Sequence, residues 1–246
     1  MRLLCLFLSC VLSLQGPTLP FPGPGASAVL QTPTFVAYAF VANTSCGSVC
    51  SSITSNALTL VANDFVFVFC RNNHNSVTDP MTMTSTPANT FTALTDNNLA
   101  NNILTSSAYA LNVAAGSTTF TCTPQTASTS MDMIVLQYHP AFLTTVDAQG
   151  LATLAVAGTN LTTNSTFSTT AKGLDIFCGS WASLGLTFTA GNIGGVGATL
   201  RGFSAATNNA DSACEDRAVS TSQATVNANM TVSSAFKAAG GVATFK

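Results

Sequence analysis

Charge is what this sequence has least of. Only 7% of its 246 residues are Asp, Glu, Lys or Arg, against a usual share of about 25%, so solubility falls to Thr, Ser, Asn and backbone amides. No basic patch is available to neutralise phosphates, which excludes nucleic acid as a partner. Histidine is nearly absent: His74 lies in an Asn-rich loop and reads as an exposed turn residue, and His139, before Pro140, closes a strand. With two imidazoles and no G-x-S-x-G elbow, a Ser/His hydrolase lacks its usual parts. Glu215 is the single glutamate and Trp181 the single tryptophan. Cys46 and Cys50 have no second Cys/His pair at finger-like spacing, which excludes a zinc finger. Segments of helical period are scarce and no short repeat recurs, so bundles, solenoids and propellers are excluded as well.

What is present begins with a leader. Met1-Arg2 precedes an apolar run from Leu3 to Leu14, too short to span a bilayer. A Pro/Gly break from Gly16 to Gly25 leads to Ala26-Ser-Ala28, a signature of signal-peptide cleavage. The expected organisation is a signal peptide over 1–28 and one domain over 29–246, secreted or held at the cell surface, with no stable membrane insertion after cleavage. Phe7-Leu-Ser-Cys10 is a poor lipobox, which argues against a lipid anchor at Cys10. Removing the leader leaves 7 − 1 = 6 basic and 9 acidic residues, hence 6 − 9 = −3.

Export changes what the cysteines mean. Of eight, Cys5 and Cys10 belong to the leader, leaving Cys46, Cys50, Cys70, Cys122, Cys178 and Cys214, an even set in an oxidising compartment where disulfides are the default. Cys46 and Cys50 are close enough to pair locally; the sequence does not select the other pairings.

The strongest structural signal is Asp64-Phe-Val-Phe-Val-Phe-Cys70. Side chains alternate across a strand, so Phe65, Phe67 and Phe69 share one face and Val66, Val68 and Cys70 the other. Both faces are apolar, which places this strand mid-sheet, covered on one side and at least partly shielded on the other. Further strands are expected over 34–42, 57–61, 81–84, 90–94, 103–113, 117–123, 131–138, 151–156, 174–178, 186–189, 198–203, 217–219 and 230–236. Many short strands without helices predict an all-β, two-sheet antiparallel sandwich, jelly-roll-like in kind.

Ser76-Val-Thr-Asp79, Asn89-Thr-Phe-Thr92, Tyr109-Ala-Leu-Asn-Val-Ala-Ala-Gly116, Leu136-Gln-Tyr138, Glu215-Asp-Arg217 and Ala235-Phe-Lys237 occur in this order. The series resembles a family of uncharacterised bacterial secreted and phage-associated β-sandwich proteins over most of the mature chain. It departs from that pattern at Ala88, where a turn glycine would precede Asn89, at His139-Pro140, and in carrying six cysteines. The resemblance implies a jelly-roll-like sandwich and carries over no catalytic residues.

Three constellations remain as candidate sites. Trp181, with Tyr138 and His139, could form a ligand-binding surface on which a sugar ring stacks. Asp211, Glu215 and Asp216, after Asn208-Asn209, form the one acidic cluster read as a loop and the candidate for a structural Ca2+, although no D-x-D-x-D-G order is present. Asp132 and Asp175 could face one another across a groove as the carboxylate pair of a glycan-active hydrolase. The composition favours a non-catalytic adhesive, glycan-binding or cell-surface module; a self-assembling surface-layer, filament or virion-type component is the alternative, and the hydrolase the third.

Overall fold

A computed structural model describes residues 33–42, 49–73, 79–99, 103–140, 143–183, 185–203 and 211–246. The leader, Cys46, His74 and Asn208-Asn209 lie outside the described residues. Among those described there is no helix, and every strand pairing is antiparallel. The strands are β1 (Thr34–Ala42), β2 (Ile53–Thr54), β3 (Leu58–Leu60), β4 (Asp64–Asn72), β5 (Met81–Thr86), β6 (Thr92–Ala93), β7 (Asn97–Leu99), β8 (Ile103–Val113) and β9 (Gly116–Pro124). They continue with β10 (Met131–His139), β11 (Val146–Thr162), β12 (Gly173–Trp181), β13 (Phe188–Ile193), β14 (Val196–Gly197), β15 (Thr199–Phe203), β16 (Asp211–Val219) and β17 (Ala228–Phe245).

The Phe/Val strand is β4, and every one of its residues is buried. It lies inside a sheet ordered β1-β10-β4-β8-β6, with β7 also on β8. On one face Val66, Val68 and Cys70 pack with Met133 and Val135 against Ile53, Leu60, Met83 and Phe120 of a small sheet, β2-β9-β3 with β5 on β9. On the other face Phe65, Phe67 and Phe69 pack with Ile134 and Leu136 against Leu174, Ile176, Ala243 and Phe245. Those residues belong to the third sheet, β14-β13-β17-β12-β16-β15 with β11 on β17. The sandwich thus has three sheets, the β4 sheet being covered on both sides. A separate apolar cluster, with Trp181, Phe177, Leu161 and Met230, occupies the far face of the third sheet.

Two strands extend well beyond their sequence signals. The segment from Asp211 reads as an acidic loop yet forms β16, because β12 and β15 pair with its two edges inside the sheet, and Asp211 to Asp216 are all buried. The apolar pattern expected to stop at Phe236 continues to Phe245 through Gly240-Gly241. Glycine is a poor strand former, but β12 passes so close that a Cβ on Gly240 would run into the Cys178 carbonyl oxygen. Backbone proximity therefore requires the residue that propensity counts against.

The cystines tie this frame together. Cys70–Cys122 joins β4 to β9 across the first layer, and Cys178–Cys214 joins opposed residues of β12 and β16. Cys50 is also disulfide-bonded.

Phe245, one residue from the end of the chain, has its ring 4.7 Å from Phe65, 5.1 Å from Tyr109 and 6.1 Å from Phe67. Truncating a fully buried phenylalanine costs about 3–5 kcal/mol through lost transfer energy and the cavity left behind. Phe245→Ala is therefore expected to lower the unfolding free energy by about that amount in denaturant titration, whereas Val156→Ala, at an exposed position of β11, is expected to change it by less than about 0.5 kcal/mol.

Candidate functional site

Trp181 ends β12 fully buried, its ring 5.3 Å from Phe188 in an edge-to-face contact. No sugar can stack on it there. Tyr138 is equally buried between Phe35 and Phe65, at 5.7 and 5.9 Å. Burial pushes its phenol well above the usual range, and the neighbouring Asp216 carboxylate adds to the shift. His139 follows Tyr138 on β10 and so points to the opposite face. Its side chain is 39% exposed, and Nδ1 lies 2.7 Å from Asp64 Oδ1. Asp64 Oδ2 accepts from Gln137 Nε2 at 2.5 Å and from the Val61 N–H at 2.8 Å, so the carboxylate orients the imidazole from inside the protein. Strand alternation therefore separates the three expected ligand residues: two are core and one is a half-exposed, anchored histidine.

The calcium loop expected from Asp211, Glu215 and Asp216 is a strand, and the three carboxylates do not converge. Asp211 and Glu215 share one face of β16 and Asp216 takes the other. Asp211 Oδ2 accepts from the Leu186 N–H at 2.6 Å, Glu215 Oε2 from the Gly191 N–H at 2.7 Å, and Asp216 Oδ1 from Arg201 Nε at 2.8 Å. The Arg201 guanidinium also stacks over Phe35, 4.7 Å from the ring centre. Among the described residues no group of three or more His, Cys, Asp or Glu side chains is placed to hold a metal ion.

The Asp132/Asp175 pair is likewise not assembled. Asp132 enters the layer between the β4 sheet and the third sheet, where Ser212 Oγ donates to its Oδ2 at 2.7 Å and Arg71 opposes it on β4. Asp175 sits between Leu174 and Ile176 of that layer and so points to the other face of β12, accepting from Gln223 Nε2 at 2.7 Å. Burial raises Asp175 to about 6 and Glu215 to about 7. Each is shifted mainly by burial, with Asp147 adding to the rise at Asp175 and Asp216 to that at Glu215.

Two surface features remain, and neither was marked by a motif. The first is an open groove of about 450 Å3 walled by Thr95, Gln149, Gly150, Leu151, Asn164 and Ser165. It carries no titratable side chain. Part of its amide capacity is spent internally: Gln149 Oε1 accepts from the Thr95 N–H at 3.1 Å, and Asn164 Oδ1 from the Thr153 N–H at 2.9 Å. Such a groove can bind an uncharged polar ligand but supplies no acid or base. Its walls come from three distant segments, so no local pattern could have announced it.

The second feature is the outer edge of β1. β10 pairs with its inner side, and no described strand pairs with the other. Of the other sheet edges, β6 and β14 have two residues each, β7 three, and β15 five with an irregular register, while the longer edges are β5, with six residues, and β11, with seventeen residues, three register shifts and the charged Asp147. β1 runs for nine residues, Thr34-Phe-Val-Ala-Tyr-Ala-Phe-Val-Ala42, without a charge or a proline. Val36 is 50% and Tyr38 45% exposed, and Phe203 on neighbouring β15 is 48% exposed. Sequence reading recognised this strand but could not tell that it lies at an edge.

Comparison with protein families, curated proteins and solved structures found no match to this chain.

The buried acids make stability depend on pH. A carboxyl whose native pKa is raised binds more protons folded than unfolded in the interval between the two values, so stability falls as pH rises through that interval. For Glu215 and Asp175 the interval runs from about 4 in the unfolded chain to about 7 and about 6 in the native one. Asp147 works in the opposite sense: burial alone would raise it, but Thr170, Lys246 and the Ala171 N–H together hold it at about 2, which confines its effect below about pH 4. The melting temperature is expected to be several degrees higher at pH 5 than at pH 8, and Glu215→Gln to narrow that gap. An unchanged gap in the variant would assign the pH dependence to other groups.

Proposed function

We propose that this chain is an exported, cystine-supported structural component of a surface-layer, filament or virion-type assembly, joined through the open edge of β1. The observation that carries this reading is the edge itself: β1 is nine residues without a charge or a proline, and no described strand pairs with its outer side. Natural sheets protect such edges with charge, proline or brevity unless strand addition is their use. The interior adds support in a second way, because the carboxylates of Asp132, Asp175, Asp211 and Glu215 are each held by a separate donor, from Ser212, Gln223, Leu186 and Gly191. The cystines, and the resemblance of the motif order to secreted and phage-associated sandwich proteins, fit an exported protein. No helix among the described residues is long and apolar enough to cross a membrane.

A second reading, adhesion to a glycan or cell-surface polymer, is favoured by the uncharged groove between Gln149 and Asn164. The two are separated by experiment. In sedimentation velocity, the mature chain is expected to form larger species as concentration rises, and Val36→Lys to shift them towards monomer with an unchanged circular dichroism spectrum. A parent protein that stays monomeric throughout, yet is retained by an immobilised glycan and loses that retention in Gln149→Ala, would replace the assembly reading with the adhesive one.

A further inference from the structure

We infer that residues 185–203 form a pH-sensitive strap across the third sheet, closed while Glu215 is protonated and opened by its ionisation, and that opening uncovers the cluster around Trp181. The inference is independent of the assembly reading. The strap comprises β13, β14 and β15 with their connections. β13 lies beside β17 and β15 beside β16, so the segment passes from one side of the sheet to the other. On the way it contributes Phe188 and Ile193 to the cluster, with Leu186, Ala198 and Leu200 packed alongside. Four charged side chains of a single strand, β16, fasten it. Asp211 accepts from the Leu186 N–H and Glu215 from the Gly191 N–H, Arg217 Nη1 donates to the Ile193 carbonyl, and Asp216 holds Arg201.

The strap's own ladders are short and interrupted. β13 meets β17 at Phe188, Thr189, Asn192 and Ile193, with a register shift in the middle, and β15 meets β16 with a shift between Leu200 and Gly202. By contrast β12 is paired without interruption along both of its sides. The strap is therefore the part of this sheet that can lift alone. Beneath it Glu215 stands opposite Phe177 of β12 and is completely buried. Its Oε2 has the Gly191 N–H, while its Oε1 and the Trp181 Nε1 have no hydrogen-bond partner among the described residues. A neutral carboxyl tolerates such a site. An ionised one leaves a charged oxygen unpaired in an apolar layer, a cost that water relieves once the strap lifts. The charged groups nearby do not offset it. Asp211 shares its face of β16, and Asp216, engaged with Arg201 on the other face, adds to the rise in its pKa. Arg217 is turned to the Ile193 carbonyl and stands opposite Asp175 of β12. β13 and β14 carry no charge, Lys237 of β17 takes the opposite face from its neighbour Ala238, and Asp147 of β11 is bound by Lys246. Burial is the larger cause and brings Glu215 to about 7.

Hydrogen exchange read by NMR tests the strap in the mature chain, whose single tryptophan gives one indole signal. The Gly191 amide and the Trp181 indole N–H are expected to exchange through a common opening smaller than the one that releases the Phe67 amide of β4, and so to show lower protection. The closed state binds the extra proton, so closure is strongest below about pH 4 and weakens as pH rises to about 7. Corrected for the intrinsic rate, protection of both groups is expected to fall by about 50- to 100-fold between pH 5 and pH 8, the change imposed by a carboxyl at about 7 when closed and about 4.3 when open. In Glu215→Gln, whose amide can still accept the Gly191 N–H, that dependence is expected to disappear. The parent protein alone can refute the switch: protection that stays level from pH 5 to pH 8 overturns it, and Gly191 protected as strongly as Phe67 shows that the segment opens only with the whole molecule. A dependence that persists in Glu215→Gln and is lost in Asp175→Asn assigns the titration to Asp175 and overturns the role given to Glu215.

Discussion

The two-sided burial of β4 sets the terms for the rest of the molecule. Three phenylalanines point one way and two valines and a cysteine point the other, and neither set can be left in water without losing about 1.5–3 kcal/mol per large side chain. The sheet that holds β4 must therefore have a layer on each side. The small β2-β9-β3 sheet supplies one, fastened by Cys70–Cys122, and the third sheet supplies the other, with Phe245 inserted among Phe65, Phe67 and Tyr109. The last strand of the chain is thereby packed against one of the first.

Covering the central sheet on both faces withdraws its polar residues from water, and its buried charges take partners from neighbouring strands. Arg71 Nη1 donates to Ser130 Oγ at 2.7 Å and stands opposite Asp132, which in turn receives Ser212 from the third sheet. At the other end of the layer Arg201 holds Asp216. Charges buried in this way stay only where partners are fixed, so they specify how the sheets align. The same arrangement withdraws them from solvent. What the molecule presents outward at the two surface features is uncharged: a groove of amides and hydroxyls, and an open strand edge.

Much of the architecture was legible in local pattern. Period-two alternation located β1, β4, β8, β9 and β10 to within a few residues, since burial on one or both faces of a strand leaves a direct imprint on residue order. The pattern failed where neighbours outweighed propensity. Asp211-Ser-Ala-Cys-Glu-Asp216 looks like a loop because it is polar, and it is a strand because it is interior to its sheet. Gly240-Gly241 lies beyond the expected end of the last strand, yet β17 continues through it, with β12 so close that Gly240 has no room for a Cβ. The candidate site residues fared less evenly. Tyr138 and His139 are neighbours in sequence and opposite in space, and Trp181, the one residue suited to stacking on a sugar, fills a core.

The order of residues by itself determined the all-β class, the doubly apolar centre and the scarcity of groups that titrate, because composition and alternation act within a few residues of chain. Only the tertiary structure decided which cysteines join, which carboxylates are buried and with whom, and which strand is left at an edge. Those outcomes depend on contacts between segments dozens of residues apart, and strand pairing over such distances is set by the packing of whole sheets against one another, which no local pattern encodes.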